Sequence, residues 1–159
     1  MKGEVQVTAR AIVPMKGGLV MLEQEDTKLG RIRIFPGGGI EFGETILQAA
    51  EREVKEETTL RVKGDRIIYI REMDAPGQHG IEFYVLCKHV SGKLKLGYDP
   101  EFSTKKQLLR EAKIIKPADL AKSTNWFPEQ LHKRIAKDAK KKFKVFEYLG
   151  GSKMKTKIR

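Results

Sequence analysis

Cysteine is nearly missing from this chain of 159 residues, with Cys87 standing alone. An intrachain disulfide is excluded, and a reducing, cytoplasmic setting is the expectation. The histidines His79, His89 and His132 lie far apart, and with one thiol they offer no zinc-ligand spacing. No apolar run approaches the roughly 18–20 residues that cross a bilayer, and Met1-Lys2-Gly3-Glu4 lacks the apolar stretch of a secretory signal. Membrane-spanning, secreted and zinc-finger classes are thereby set aside. Internal repeats and long low-complexity linkers are also absent, so one domain is expected. At 40% hydrophobic and 33% charged the composition is that of a globular chain rather than a disordered one. A chain of this length can bury roughly 68–70% of its unfolded surface.

Acids are the scarcer charge, 21 against 32 Lys plus Arg, for a net +11. The excess is local. Residues 132–159 hold eleven bases and only Asp138 and Glu147 as acids, which is +9 in 28 residues. The end, from Gly150 to Arg159, reads as a flexible basic tail appended to a domain spanning 1–149.

Periodicity outlines the elements. Val5, Val7 and Ala9 alternate with Gln6, Thr8 and Arg10, the pattern of a half-buried strand. Lys16-Gly17-Gly18 is a turn before the apolar run Leu19 to Leu22, and Arg31 to Phe35 alternates until Pro36 and three glycines stop it. From Glu44 to Glu57 there is neither Pro nor Gly, and Ile46, Leu47, Ala50 and Val54 share a helical face. Strand-like runs follow at 66–70, 81–87, 93–96 and 114–117, with a loop at 74–80 between the first two. Phe127-Pro128 is expected to open a helix whose stripe is Leu131, Ile135, Ala139 and Phe143. Strands and helices in this order predict an α/β fold with helices on the faces of a mixed sheet.

The chemistry concentrates in residues 37–60. Glu53, Glu56 and Glu57 lie at i, i+3 and i+4, beside the apolar stripe, while Glu44, Gln48, Glu51 and Lys55 form another, solvated face. Like charges at that spacing each cost an isolated helix about 0.2–0.5 kcal/mol. They also fall near the helix C-terminus, where the macrodipole disfavours anions. Two readings compete: a charged surface helix, or carboxylates gathered for a hard divalent cation that prefers oxygen ligands. The preceding Gly37-Gly38-Gly39, which lets backbone approach a ligand closely, favours the second.

Gly38, five residues, Glu44, seven residues, Arg52-Glu53-Val54-Lys55-Glu56-Glu57 and a closing Leu60 together resemble the Nudix hydrolase signature over 23 residues. One departure is Thr59, where the family usually has Gly; a β-branched residue disfavours the left-handed cap. The resemblance implies a Nudix-type α/β/α sandwich that hydrolyses a pyrophosphate bond in a nucleoside diphosphate derivative. It implies Mg²⁺, or alternatively Mn²⁺, held by Glu53, Glu56 and Glu57 with the Gly37 carbonyl. Glu53, Glu57 and Arg52 would be the catalytic set, Arg52 orienting a glutamate, while Glu44, Gly38 and Gly39 would shape the loop–helix turn. Some relatives take their base from a later loop, for which Glu101, Glu82 and Glu111 are candidates here. Arg31 and Arg33, on the strand entering the glycine loop, are candidate substrate contacts, although a solvated strand face explains them equally. Homodimers are common among such proteins. An RNA 5′-end substrate recruited by the basic end, and a non-catalytic nucleotide-sensing domain, are the alternative functions. Cys87, closing an apolar strand, is expected to be buried and inert. Trp126 and Phe127 are expected to be core or staple residues.

Overall fold

The computed structural model describes residues 3–100, 103, 106–128 and 131–153. Among these residues nine strands and three helices follow in the order β1 (Glu4–Ile12), β2 (Pro14–Met15), β3 (Gly18–Asp26), β4 (Gly30–Ile34), β5 (Gly37–Gly39), α1 (Ile46–Thr58), β6 (Arg61–Ala75), β7 (Gln78–Ser91), β8 (Leu109–Ile115), α2 (Pro117–Lys122), α3 (Leu131–Ala139) and β9 (Glu147–Lys153). Five strands form a mixed sheet in the order β5-β1-β7-β6-β9. Within it β1–β7 and β6–β9 are parallel, and β1–β5 and β6–β7 antiparallel. A second, antiparallel sheet joins β2 and β4 to β3, with β8 along the other side of β3.

Alternation decides what each face of the larger sheet meets. Ala9, Ala11 and Val85 pack with Ala49, Ala50 and Val54 of α1, whereas Ile12, Tyr84 and Leu86 pack with Leu120 of α2 and Leu131 and Ile135 of α3. Helices on both sides of a mixed sheet give the expected α/β class. At the start of β1 the alternation fails as a guide, because Val5 and Val7 are exposed and burial begins at Ala9. Cys87 is buried in the α1-side core, and its thiol is pushed up to about 12 by burial, then by Glu51 and Asp65. Trp126 is also core, tilted against Phe35 and stacked with His132.

Several expected boundaries move. The runs at 66–70 and 81–87 are parts of one long hairpin whose ladder continues to Ala75 and Gln78, so the loop at 74–80 shrinks to the turn Pro76-Gly77. The final helix begins at Leu131, beyond a cis Phe127–Pro128 bond, and ends at Ala139; Phe143 lies past it in a left-handed turn. The proline that does open a helix is Pro117, at the head of α2. Gly150 to Lys153, placed in the tail by composition, continue β9 beside β6, and residues 154–159 lie outside those described. Among the described residues no helix is long and apolar enough to cross a membrane.

α1 is fixed at both ends. Thr45 caps its start: the Gln48 amide donates to Thr45 Oγ1 (3.2 Å), and the Thr45 amide donates to Gln48 Oε1 (2.9 Å). At the exit Thr59 does adopt the left-handed conformation, at φ 59°, with its hydroxyl donating to the Lys93 carbonyl (2.9 Å). Residues 93–96, expected as a strand, instead run past this end as irregular chain. The amides of Lys95, Gly97 and Tyr98 donate to the carbonyls of Thr58, Glu57 and Glu56, satisfying acceptors that a helix end leaves open.

Candidate active site

β4 runs through Pro36 into β5, and β5 lies antiparallel to β1 with Gly37 opposite Arg10, Gly38 opposite Ala9 and Gly39 opposite Thr8. Glycine is demanded by what surrounds this strand. Gly37 sits at φ 151°, and a Cβ there would fall 2.1 Å from the Ala9 carbonyl oxygen. On Gly38 it would fall 2.6 Å from Glu53 Oε1. The bare backbone therefore lets the carboxylates of α1 close onto the strand.

Three of those carboxylates have distinct surroundings. Glu53 and Glu57 are buried, at 6% and 3% exposure, and Glu56 is half-buried. The Gly37 amide donates to Glu57 Oε2 at 2.9 Å. Arg52 gathers most of the rest. Its Nε and Nη2 donate to the two Glu44 oxygens (2.7 and 3.1 Å), and its Nη1 to Glu53 Oε1 (2.8 Å) and Glu56 Oε2 (3.2 Å). Nη2 also donates to the Gly39 carbonyl at 2.9 Å. Glu44 in turn accepts the Glu41 amide (3.1 Å), tying the loop to the helix, and the Arg52 hydrogen bond holds its carboxyl below the usual range. Glu44 thus belongs to this cluster rather than to a solvated face. Glu51 likewise accepts the Gly64 amide and pairs with Lys63.

Glu57 is the electrostatic outlier. Burial pushes its carboxyl up to about 8, and the Glu53 charge adds to this, against the opposing Gly37 amide and Arg10. As they stand, no three acid, His or Cys side chains among the described residues are gathered tightly enough to hold an ion. The chemistry of the donors nonetheless fits a hard divalent cation. Every candidate ligand is an oxygen, and two buried carboxylates repel one another where a positive charge would relieve both.

The other predicted residues are dispersed. Arg31 and Arg33 reach across to β3, Arg31 to Glu25 and Arg33 to Glu23, each at 3.3 Å. Lys113 joins Glu23 (3.4 Å) and also pairs with exposed Glu111 (2.9 Å). Glu82 is buried on β7 with Arg71 Nη1 at 2.6 Å. Glu101 lies outside the described residues. Asp99, two residues earlier, is near enough for its charge to help raise Glu57. Sequence reading passed over Arg10, whose Nη1 donates to the Gly37 carbonyl at 3.0 Å. The signal available was a charged residue between the buried Ala9 and Ala11 on a core strand.

A family model described as "NUDIX domain" matches residues 5–142. An ADP-ribose pyrophosphatase of Methanocaldococcus jannaschii is 30% identical over 95 residues, covering 58% of this chain and 56% of that one. The NAD-capped RNA hydrolase NudC of Yersinia enterocolitica is 31% identical over 97 residues, 60% of this chain and 36% of that one. The matches thus span about half, or about a third, of those curated relatives. Among solved structures, a NUDIX hydrolase from Nitrosomonas europaea aligns with a TM-score of 0.71 at 19% identity, over 89% of this chain and 93% of that one. A MutT protein from Methanosarcina mazei Go1 gives 0.69 at 16% identity, over 88% and 99%. At these identities the structural likeness speaks to the fold.

Proposed function

The chain belongs to the Nudix family, and from that premise we propose that it hydrolyses a pyrophosphate bond in a nucleoside diphosphate derivative, using Mg²⁺ or Mn²⁺. The observation that carries this reading is the closure of two buried carboxylates, Glu53 and Glu57, onto the glycine strand, with Arg52 gripping Glu53, Glu56 and the Gly39 carbonyl. Glu53, Glu56 and Glu57 would hold the cation. Bound there, it would neutralise charge on the phosphate oxygens and acidify a water ligand.

The chain's own groups prepare that site. Arg52 draws Glu53 and Glu56 to one side, and Glu44 fixes Arg52 by accepting two of its donors. Burial and the Glu53 charge raise the Glu57 carboxyl to about 8, so cation binding there should release protons and strengthen with pH. The ADP-ribose pyrophosphatase and NudC matches direct the choice of substrates toward dinucleotide-like pyrophosphates.

The test is a panel of nucleoside di- and triphosphates, nucleotide sugars, ADP-ribose and dinucleotides with Mg²⁺ or Mn²⁺, with products identified. Nucleoside monophosphate release that is lost in Glu57→Gln supports the reading. Tight nucleotide binding with no product under either cation would replace it with the sensing role.

A second reading, action at an RNA 5′ end, draws on one observation. Lys133, Lys137, Lys140, Lys141, Lys142 and Lys144 are exposed, and none forms an ion pair with another described residue. The acids of that stretch, Asp138 and Glu147, are both engaged by Arg134. RNA binding that weakens steeply with salt, and that is lost when these lysines become Gln, would favour it.

A further inference from the structure

Four side chains alternate in sign from α1 across the middle of the larger sheet: Glu57, Arg10 on β1, Glu82 on β7 and Arg71 on β6. The register creates the sequence of contacts, because Glu82 lies opposite Thr8 on one side and Arg71 on the other. Glu82 is 1% exposed and both its oxygens are engaged. Oε1 lies 3.5 Å from Arg10 Nε, while Oε2 accepts from Arg71 Nη1 (2.6 Å) and the Tyr84 hydroxyl (3.1 Å). A carboxylate so occupied and so deep is poorly placed to take a proton from a water. Its effect falls on Arg10. That guanidinium donates through Nη1 to the Gly37 carbonyl (3.0 Å) and the Phe35 carbonyl (3.3 Å).

Gly37 is therefore held at both polar atoms, its amide by Glu57 and its carbonyl by Arg10. Support from the ladder is slight, since β5 contributes three residues. Arg10 also feels Glu57: burial opposes its charge, and Glu82, Tyr84 and Glu57 together more than restore it. Two carboxylates thus compete for one guanidinium, and the structure shows it turned to Glu82 and the carbonyls.

We propose that Glu82 is a positioning residue: by anchoring Arg10 on the Gly37 and Phe35 carbonyls it keeps the guanidinium from neutralising Glu57 and leaves that carboxylate to a divalent cation. The proposal rests on reading α1 as the cation site. Without the Glu82 charge, Arg10 would turn to Glu57 and compete with the metal. Outer partners of metal ligands typically govern affinity by about 10–100-fold, and that is the effect expected here.

The experiment is Mn²⁺ binding to the intact protein without nucleotide, followed by electron paramagnetic resonance of the free ion, with turnover measured against Mn²⁺ concentration. Glu82→Gln should weaken Mn²⁺ binding by about 10–100-fold and regain most of its kcat at saturating Mn²⁺. Adding Arg10→Met to Glu82→Gln removes the competitor and should recover part of the lost affinity. A merely structural role would instead lower the active fraction equally at every Mn²⁺ concentration. Should Glu82→Gln not fold, Tyr84→Phe, which removes one donor to Glu82, should shift the Mn²⁺ midpoint severalfold. An unshifted midpoint in the folded variant, or a double variant no tighter than Glu82→Gln, overturns the proposal while leaving the cation site standing. Wild-type protein that binds no Mn²⁺ overturns both.

Discussion

Glu57 on α1 and Asp138 on α3 are equally deep, each 3% exposed, yet they differ in what faces them. Asp138 accepts the Tyr69 hydroxyl at 2.7 Å and Arg134 Nε at 2.8 Å, so its charge is matched by partners on β6 and on its own helix. Glu57 accepts the Gly37 amide but faces Glu53 and Asp99, while Arg10, whose charge acts on it, spends its donors on carbonyls and approaches Glu82. A buried acid surrounded by the protein's own donors is structural. One left among other acids marks a place where the balancing charge comes from outside. The neighbours show it too: Tyr69 is raised by burial and by the Asp138 hydrogen bond, which settles that proton on the phenol.

Replacing each acid by its amide gives the widest separation. Glu57→Gln should lower kcat by at least about 10³-fold, the scale of losing a group that acts on the developing charge, and should leave the melting temperature unchanged or higher. Asp138→Asn should do the reverse, retaining kcat in the folded fraction while melting earlier. Equal losses of activity in the two variants, measured by steady-state kinetics beside thermal melts, would erase the distinction.

Stability against pH is the next largest contrast. The folded-state value for Glu57, about 8, lies above its ordinary value of 4.5. Its contribution is therefore fully present below pH 4.5 and is lost as pH rises through 8. In cation-free protein that loss is on the order of a few kcal/mol. Glu57→Gln should flatten the melting-temperature profile between pH 5 and 8.5, and saturating Mg²⁺ should flatten it in the wild type. Parallel profiles for wild type and variant would show that Glu57 is already satisfied, as Asp138 is.

Much of this site was readable before the fold. The helix, its glycine approach and the three acids lie within a 23-residue span, where spacing alone determines which residues share a face. What could not be read depends on distance along the chain. Arg10 and Glu82 are 72 positions apart, and only the parallel register of β1 on β7 brings them together. The alternation Lys93-Leu94-Lys95-Leu96 reads as a strand because its amides need partners. The Lys95 amide, and after it those of Gly97 and Tyr98, instead pair with the open carbonyls of α1, which no local pattern can announce. Thr59 was the clearest local misfit, and the Lys93 carbonyl that steadies it is 34 residues on.

A smaller test concerns the structural acid. Tyr69→Phe leaves Asp138 buried with Arg134 as its remaining side-chain partner among the described residues. It should cost about 1–3 kcal/mol, or several degrees of melting temperature, with Mn²⁺ affinity unchanged. A shift in Mn²⁺ binding would mean that the α3 side of the sheet communicates with α1, and the two acids would no longer be independent.

The smallest effects are at the two helix exits. Thr59 after α1 and Lys142 after α3 both take left-handed backbone, at φ 59° and 53°, and both are exposed. Glycine avoids the roughly 1–2 kcal/mol cost of left-handed backbone, less the roughly 0.5–1 kcal/mol of chain entropy it gives up on folding. At Lys142 nothing opposes the gain, since its side chain forms no ion pair or hydrogen bond with another described residue. At Thr59 the change also removes the hydroxyl bond to Lys93, whose net value of about 0.5–1.5 kcal/mol is of the same size. Lys142→Gly should therefore raise the melting temperature by about 1–3 °C, while Thr59→Gly stays within about a degree of the wild type. If Thr59→Gly stabilises as much as Lys142→Gly, the hydroxyl bond contributes nothing, and the 93–98 segment holds the carboxylate-bearing end of α1 through its amides alone.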